Sequence, residues 1–493
     1  MLFNSLDFMF FFPVVVGIYF LVPKKLRYIW LLITSYYFYM GWNAKYALLM
    51  ALSTGITYLS GILLGICSDT SRPHLHRYRK LCVAGSFISN LLILCIFKYA
   101  NFALDNLSML AEYLGFSFID RRLDLLLPVG ISFYTFQALS YTMDVYRGEI
   151  KPEKNFLRYA LFVSFFPQLV AGPIERSKNL LGQVQNIENI RVWDFERIRD
   201  GFLLMMWGLF QKLVIADRAS LLVNQVYDHY ELYGCVEIVL ATVLFAFQIY
   251  CDFGGYSDIA RGAAKVMGFN LMHNFKQPYL ATNIRDFWRR WHISLSSWFT
   301  DYLYIPLGGN RKGLSRKYLN FLIVFGVSGL WHGASWNFIM WGLLHAVYQI
   351  VGDARRVWSR KHTSSPDTPK SFSYTLRKRL GTFILVDFAW IFFAASSFSA
   401  ALRIIRQMLT TFQTTSIYNL GLSRGDWFFL VVPIAILMLV DVLHEHGVAI
   451  FKAVRQQEFW MRWLLYLGLI WIIIMFGIYG TAYDSSQFIY FQF

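Results

Sequence analysis

Long apolar stretches recur along almost the whole chain, separated by polar turns rich in Lys and Arg. Phe8 to Val22, Arg27 to Trp42, Tyr46 to Ile66 and Leu81 to Ala100 come first. Leu125 to Met143, Phe156 to Val170, Gly201 to Leu213 and Val236 to Tyr250 follow, and Phe383 to Ala395, Trp427 to Val442 and Trp463 to Tyr479 close the series. A helix satisfies its backbone donors and acceptors internally, so it can cross hydrocarbon, and a full crossing takes roughly 20 apolar residues. The pattern predicts an all-α polytopic integral membrane protein with about eleven to thirteen transmembrane or re-entrant helices, several runs being short for a crossing. Asn101 to Arg122 is mixed in polarity and predicts an interfacial helix on the outer surface. Phe156 to Val170 runs into Gly172 and Pro173, which should break it. At membrane depth such a break must line a cavity or be covered by protein. No internal or inverted repeat is visible, which weighs against a secondary transporter.

Basic residues set the orientation, because Lys and Arg collect on cytoplasmic loops. Lys24, Lys25 and Arg27 follow the first run, which puts the N-terminus outside, and no small-residue cleavage site follows, so this run reads as an anchor. Two long loops, about 255–317 and 353–379, are cytoplasmic by the same rule: Arg261 to Lys317 carries ten Lys or Arg against Asp286 and Asp301, and Asp353 to Arg379 carries eight. Residues 1–480 then form one transmembrane domain, and 481–493 an extracytoplasmic aromatic tail. Of the 493 residues 56% are hydrophobic, 19% aromatic and 15% charged, too apolar for a soluble protein of this size. The net charge of +16 lies in loops and calls for membrane lipids as partners, not nucleic acid. The five cysteines form no CxxC pair and sit in or beside apolar runs, which predicts buried small side chains with neither a metal site nor a disulfide frame.

Two polar constellations interrupt this pattern. Ser328 to Trp336, SGLWHGASW, lies between the apolar runs Phe321 to Leu330 and Phe338 to Val347, and its cytoplasmic flanks mean that the chain enters and returns. His332 is therefore an ionisable group at membrane depth, where such residues are rare. Two readings stand at this point, a core histidine bonded to a carbonyl and a functional site. In the second constellation, Asn283 to Asn310, Asp286, Arg289, Arg290 and His292 sit beside Trp288 and Trp291, and Asp286 with Arg290 has the spacing of a helical ion pair. An interfacial amphipathic helix accounts for the Trp and Arg. It leaves out Gly308, Gly309, Asn310 and Arg311, a turn offering backbone N–H groups and a guanidinium to the phosphates of a nucleotide-bearing donor.

At these residues the sequence resembles the membrane-bound O-acyltransferases, and within them the alginate and exopolysaccharide O-acetyltransferase subgroup. The stretches that carry the resemblance are PVGISFYTFQALSYTMDVYRG at 128–148, FFPQLVAGPIER at 165–176, CDFGGYSDIARGAAKVMGF at 251–269, RDFWRRWHISLSSWFTDYLYIPLGGNR at 285–311, SGLWHGASWNFIMWGLLH at 328–345 and FIYFQF at 488–493. The resemblance implies helices around a central funnel, His332 as the family's intramembrane histidine and His292 as a second catalytic histidine. It implies acetyl-CoA as cytoplasmic donor, with Arg289, Arg290, Asn310 and Arg311 at the funnel mouth. It further implies an extracytoplasmic polysaccharide as acceptor, a bacterial inner membrane and a separate periplasmic acetyltransferase as partner. Two alternatives remain: D-alanyl transfer from a carrier-protein thioester to a cell-wall polymer, and a non-catalytic subunit of a polysaccharide export complex. In the tail, Tyr490 among Phe488, Phe491 and Phe493 is either an interfacial aromatic anchor or an acyl relay that carries the acetyl group outward.

Overall fold

The computed structural model describes residues 1–69, 71, 73–116, 122–169, 172–362 and 371–479. The tail 481–493, and Tyr490 with it, lies outside the described residues. Among the described residues there are helices and loops and no strand. Among the described residues five helices are long and apolar enough to cross a membrane by themselves: Ala44–Cys67, Pro73–Tyr113, Cys235–Met267, Arg424–Glu445 and Phe459–Phe476. The all-α membrane class expected from the sequence is what the structure shows, and the remaining helices fall outside this set by length or composition, in keeping with an expectation of transmembrane or re-entrant helices with several runs short for a crossing.

The chain divides into two compact units, Met1–Phe202 with Ala260–Met272, and Leu203–Ile259 with His273–Phe493. The first unit is built from α1 (Leu6–Leu21), α2 (Arg27–Met40), α3 (Ala44–Cys67), α4 (Arg79–Leu94), α5 (Ala100–Tyr113), α6 (Ile131–Tyr146) and α7 (Phe156–Ser164). Every residue of α6 except Met143 and Tyr146 is buried, polar Gln137 and Asp144 included, so the helix is packed inside protein on all sides. It begins at Ile131, later than the expected Leu125, because Gly130 precedes it at φ +71. A Cβ on Gly130 would lie 2.4 Å from the Leu169 carbonyl oxygen.

Two further expectations change here. Asn101 to Arg122 is not a separate interfacial helix over its described part: α4 passes through a π-helical turn, Cys95–Tyr99, into α5. No Gly or Pro interrupts residues 86–114, and a change in polarity alone does not stop a helix. The broken span ends sooner than Gly172, at Phe165 (φ −53, ψ 110), since Pro167 has no N–H for the carbonyl of Val163. The groups freed by that break are met by protein. Phe166 N–H donates to Ser35 Oγ at 3.1 Å, and the Phe162 carbonyl accepts from Gln137 Nε2 at 2.6 Å and Gln168 Nε2 at 3.0 Å.

The second unit holds the end of α8 (Phe195–Leu209), α9 (Asp217–Asp228), most of α10 (Cys235–Met267), α11 (Ile284–Arg290), α12 (Ile293–Phe299), α13 (Leu314–His332) and α14 (Trp336–His362). After these come α15 (Phe372–Ala394), α16 (Phe398–Thr410), α17 (Arg424–Glu445) and α18 (Phe459–Phe476). Between α8 and α9 lies a π-helical stretch, Phe210–Ala216, whose buried Lys212 pairs with Asp252 at 2.6 Å and Asp217 at 2.8 Å. The segment expected as a cytoplasmic loop at 255–317 is largely built structure. Tyr279, Phe287, Trp288 and Trp291 are buried in a core with Trp341 and Trp390. Its apolar positions recur at helical spacing, and the basic residues between them set its apparent polarity.

Candidate active site

α13 and α14 form an antiparallel hairpin that two glycines allow to close. A Cβ on Gly329 would sit 2.2 Å from the Phe338 carbonyl oxygen, and one on Gly342 2.1 Å from that of Phe325. His332 is the last residue of α13, placed by this contact at the hairpin tip. It is 3% exposed, with Trp331, Trp341 and Phe393 edge-on to its ring at 5.0, 5.0 and 5.5 Å.

His292 reaches the same place from another element. It joins α11 to α12 at φ +43, a left-handed conformation rarely adopted by a residue with a side chain. Asn274 holds that turn: its carbonyl accepts from Ile293 N–H at 2.9 Å and its Oδ1 from Ser294 Oγ at 2.6 Å, while its Nδ2 donates to Ser257 Oγ at 3.0 Å. Buried completely, His292 packs its ring against Phe253 at 4.6 Å and lies 6.3 Å from His332, centroid to centroid. At that separation the two rings are neighbours within one buried aromatic cluster, edge-on to each other.

The sequence reading missed a third histidine. His345 is fully buried, and its Nδ1 accepts from Trp288 Nε1 at 3.2 Å, an arrangement that assigns the ring proton to Nε2. Trp341 stands between it and His332, with ring centroids 5.2 and 5.0 Å away. The available signal was its place on α14, one turn before Gln349 and two before Asp353, which make a polar stripe on one helical face.

That stripe opens into a cavity of about 430 Å³. On α13 its wall runs Lys317, Phe321, Val324, Phe325, Ser328, and on α14 Gln349, Asp353, Arg356. Continuing the 3.6-residue period brings α13 to His332 and α14 to His345. The opposite wall carries Arg285 and Arg289 from α11 and Asn310 from the glycine turn. Asp353 pairs with Lys317 at 2.5 Å and with Arg356 at 3.0 Å.

Of the four residues expected at the donor mouth, Arg289 and Asn310 line this cavity, while Arg290 and Arg311 are not in its wall. Arg290 is engaged by Asp286 at 3.0 Å and by both oxygens of Glu445 at 2.6 and 3.1 Å. Arg311 is exposed. The glycine turn is closed on itself: the N–H groups of Gly308, Gly309 and Arg311 donate to Ile305, Tyr304 and Gly308 carbonyls, so these three do not form the expected anion cradle. Gly308 and Gly309 both hold positive φ, which explains their residue type. Among the described residues no group of three or more His, Cys, Asp or Glu stands close enough to hold a metal ion.

The model of the membrane-bound O-acyltransferase family matches residues 87–395. The chain belongs to this family. It is a membrane O-acyltransferase, which moves an acyl group from a donor to a hydroxyl. A Pseudomonas putida protein named "probable alginate O-acetylase" is 37% identical over 433 residues, 87% of this chain and 81% of that one. The peptidoglycan O-acetyltransferase of Helicobacter pylori is 35% identical over 416 residues, 79% of this chain and 74% of that one. The teichoic acid D-alanyltransferase of Bacillus subtilis is 28% identical over 287 residues, 55% of this chain and 69% of that one.

Proposed function

We propose that this O-acyltransferase takes acetyl groups from cytoplasmic acetyl-CoA and passes them across a bacterial inner membrane for O-acetylation of an extracytoplasmic polysaccharide. The observation that carries the reading is the cavity: cationic at one end, it follows one face of α13 to a point one turn short of His332. A long donor with phosphates at one end and a thioester at the other matches that gradient. Arg285, Arg289, Lys317, Arg356 and Asn310 would hold the phosphates, guanidinium groups being suited to bidentate contact. Arg311 is an outer contact, and Arg290, engaged by Glu445, is left out. His332 acts as general base on the acceptor hydroxyl, and His292 steadies the thioester or the oxyanion that develops on it. The relatives named for alginate and peptidoglycan acetylation support a polysaccharide acceptor. Such an acceptor is too bulky to enter the membrane, which is the reason for a periplasmic transferase as partner. The positive-inside count supports extracytoplasmic termini.

The test is turnover by purified protein in proteoliposomes, read as CoA thiol release. His332→Ala is expected to lower the rate by ~10²- to 10⁴-fold with the protein still in the membrane. Equal turnover in the variant would remove the catalytic role. A wild type that ignores acetyl-CoA and consumes only a carrier-protein thioester would establish the D-alanyl type of chemistry instead.

A further inference from the structure

The aliphatic hydroxyls in the cavity wall belong to Ser296, Thr300 and Ser328. Two of them are bonded internally: Ser296 Oγ donates to the Trp291 carbonyl at 3.2 Å, and Thr300 Oγ1 to the Ser296 carbonyl at 2.8 Å. Ser328 makes no hydrogen bond to any described residue. A serine or threonine inside a helix normally returns its proton to the carbonyl four residues back, as Ser35, Thr54 and Ser164 do here at 2.6, 2.7 and 2.8 Å. Ser328 does not do so with Val324, although it is only 5% exposed. Its hydroxyl is a lining group of the cavity with no bond to a helix carbonyl, so it is free to donate to a ligand that brings an acceptor.

Its position narrows the ligand. Ser328 is the α13 cavity residue nearest His332 in the chain, four residues and hence one turn away. The other polar groups belong to the cationic end. Gln349 lies one turn from Asp353, which pairs with Lys317, and Tyr304 stacks on Phe321 at 5.7 Å. The part of an acyl donor that reaches Ser328 is the reacting end, and the acceptor it carries is the carbonyl oxygen of the thioester.

We propose that the Ser328 hydroxyl donates a hydrogen bond to that carbonyl oxygen, holding the thioester one helical turn from His332. The inference rests on the donor assignment above. As negative charge gathers on the oxygen during attack, the hydrogen bond strengthens, so its effect falls mainly on kcat. Ser328 is then a catalytic residue of the O-acyl transfer.

The experiment compares wild type, Ser328→Ala and Ser328→Thr, each full length in proteoliposomes with acetyl-CoA, by thiol release. A carbonyl-free thioether of CoA serves as competitive inhibitor to report on the cavity. Loss of the hydroxyl is expected to lower kcat by about 10²-fold while inhibition by the thioether stays within two-fold, and Ser328→Thr is expected to recover most of the rate. A Ser328→Ala rate within two-fold of wild type overturns the proposal. So does a parallel loss of kcat and thioether binding, which would mark a packing role. If wild type is inert to acetyl-CoA, the donor reading fails, and the comparison is repeated with a carrier-protein thioester, where equal rates for Ser328→Ala and wild type again overturn the proposal. Release of thiol from neither donor overturns both.

Discussion

Residues that look alike in the sequence are separated here by what they touch. Arg289 and Arg290 are adjacent, equally basic and on the same short helix, yet a seven-residue helix turns them about 100° apart. Arg289 enters the cavity wall and Arg290 closes on Glu445. Arg289→Ala is therefore expected to raise the KM for acetyl-CoA several-fold with kcat nearly unchanged. Arg290→Ala should instead lower the amount of folded protein without moving KM, because it strips a bidentate partner from Glu445. Steady-state kinetics on protein quantified by fluorescence-detected size exclusion separates the two, and a raised KM in Arg290→Ala would return it to the donor site. His345 teaches the same lesson in reverse. Its spacing to Gln349 and Asp353 marks a polar helix face, but only the structure shows that Trp288 bonds it to the cavity wall.

At the scale of elements, the hairpin of α13 and α14 is the part on which the site depends. Its helices touch backbone to backbone at Gly329 and Gly342, so an added methyl has no flexible side chain to displace. Gly329→Ala is expected to cost about 1–3 kcal/mol through overpacking and to shift His332 along with the tip. Gly55→Ala in α3 is the matched control, since nothing lies within 4 Å of the position a Cβ would take. There the same substitution removes chain entropy from the unfolded state and should be neutral or stabilising by up to about 1 kcal/mol. Thermal unfolding in detergent checks both, and an unchanged melting temperature in Gly329→Ala would contradict the close contact. The break after α7 follows the same logic of backbone accounting: Gln137 and Gln168 donate to the Phe162 carbonyl and Ser35 accepts from the Phe166 N–H, the pair that a continued helix would have joined. The sequence shows the breaker but not the groups that make it tolerable.

At the scale of the whole molecule, the proposed transfer to an extracytoplasmic polysaccharide would be served by a carrier of the acyl group beyond His332. Tyr490 is either that carrier or an interfacial aromatic anchor. Tyr490→Phe keeps an aromatic ring and deletes only the hydroxyl, so a relay role predicts loss of polymer acetate at normal protein level. Intact-mass analysis of wild type should then show an acetyl adduct on the C-terminal peptide, and normal acetylation in the variant would leave the tail as an anchor. Class and family were legible along the chain, and His332 and His292 stood out there as polar residues stranded among apolar ones, because hydrophobic runs long enough for a bilayer and the polar residues that interrupt them are local signals. The burial of the segment between Arg261 and Lys317, the turn at His292, and the cavity face shared by α13 and α14 were not. Each depends on side chains distant in sequence that supply the apolar cover, the hydrogen-bond partners or the opposing charge. Periodicity fixes which residues share a helix face, and only packing decides what that face meets.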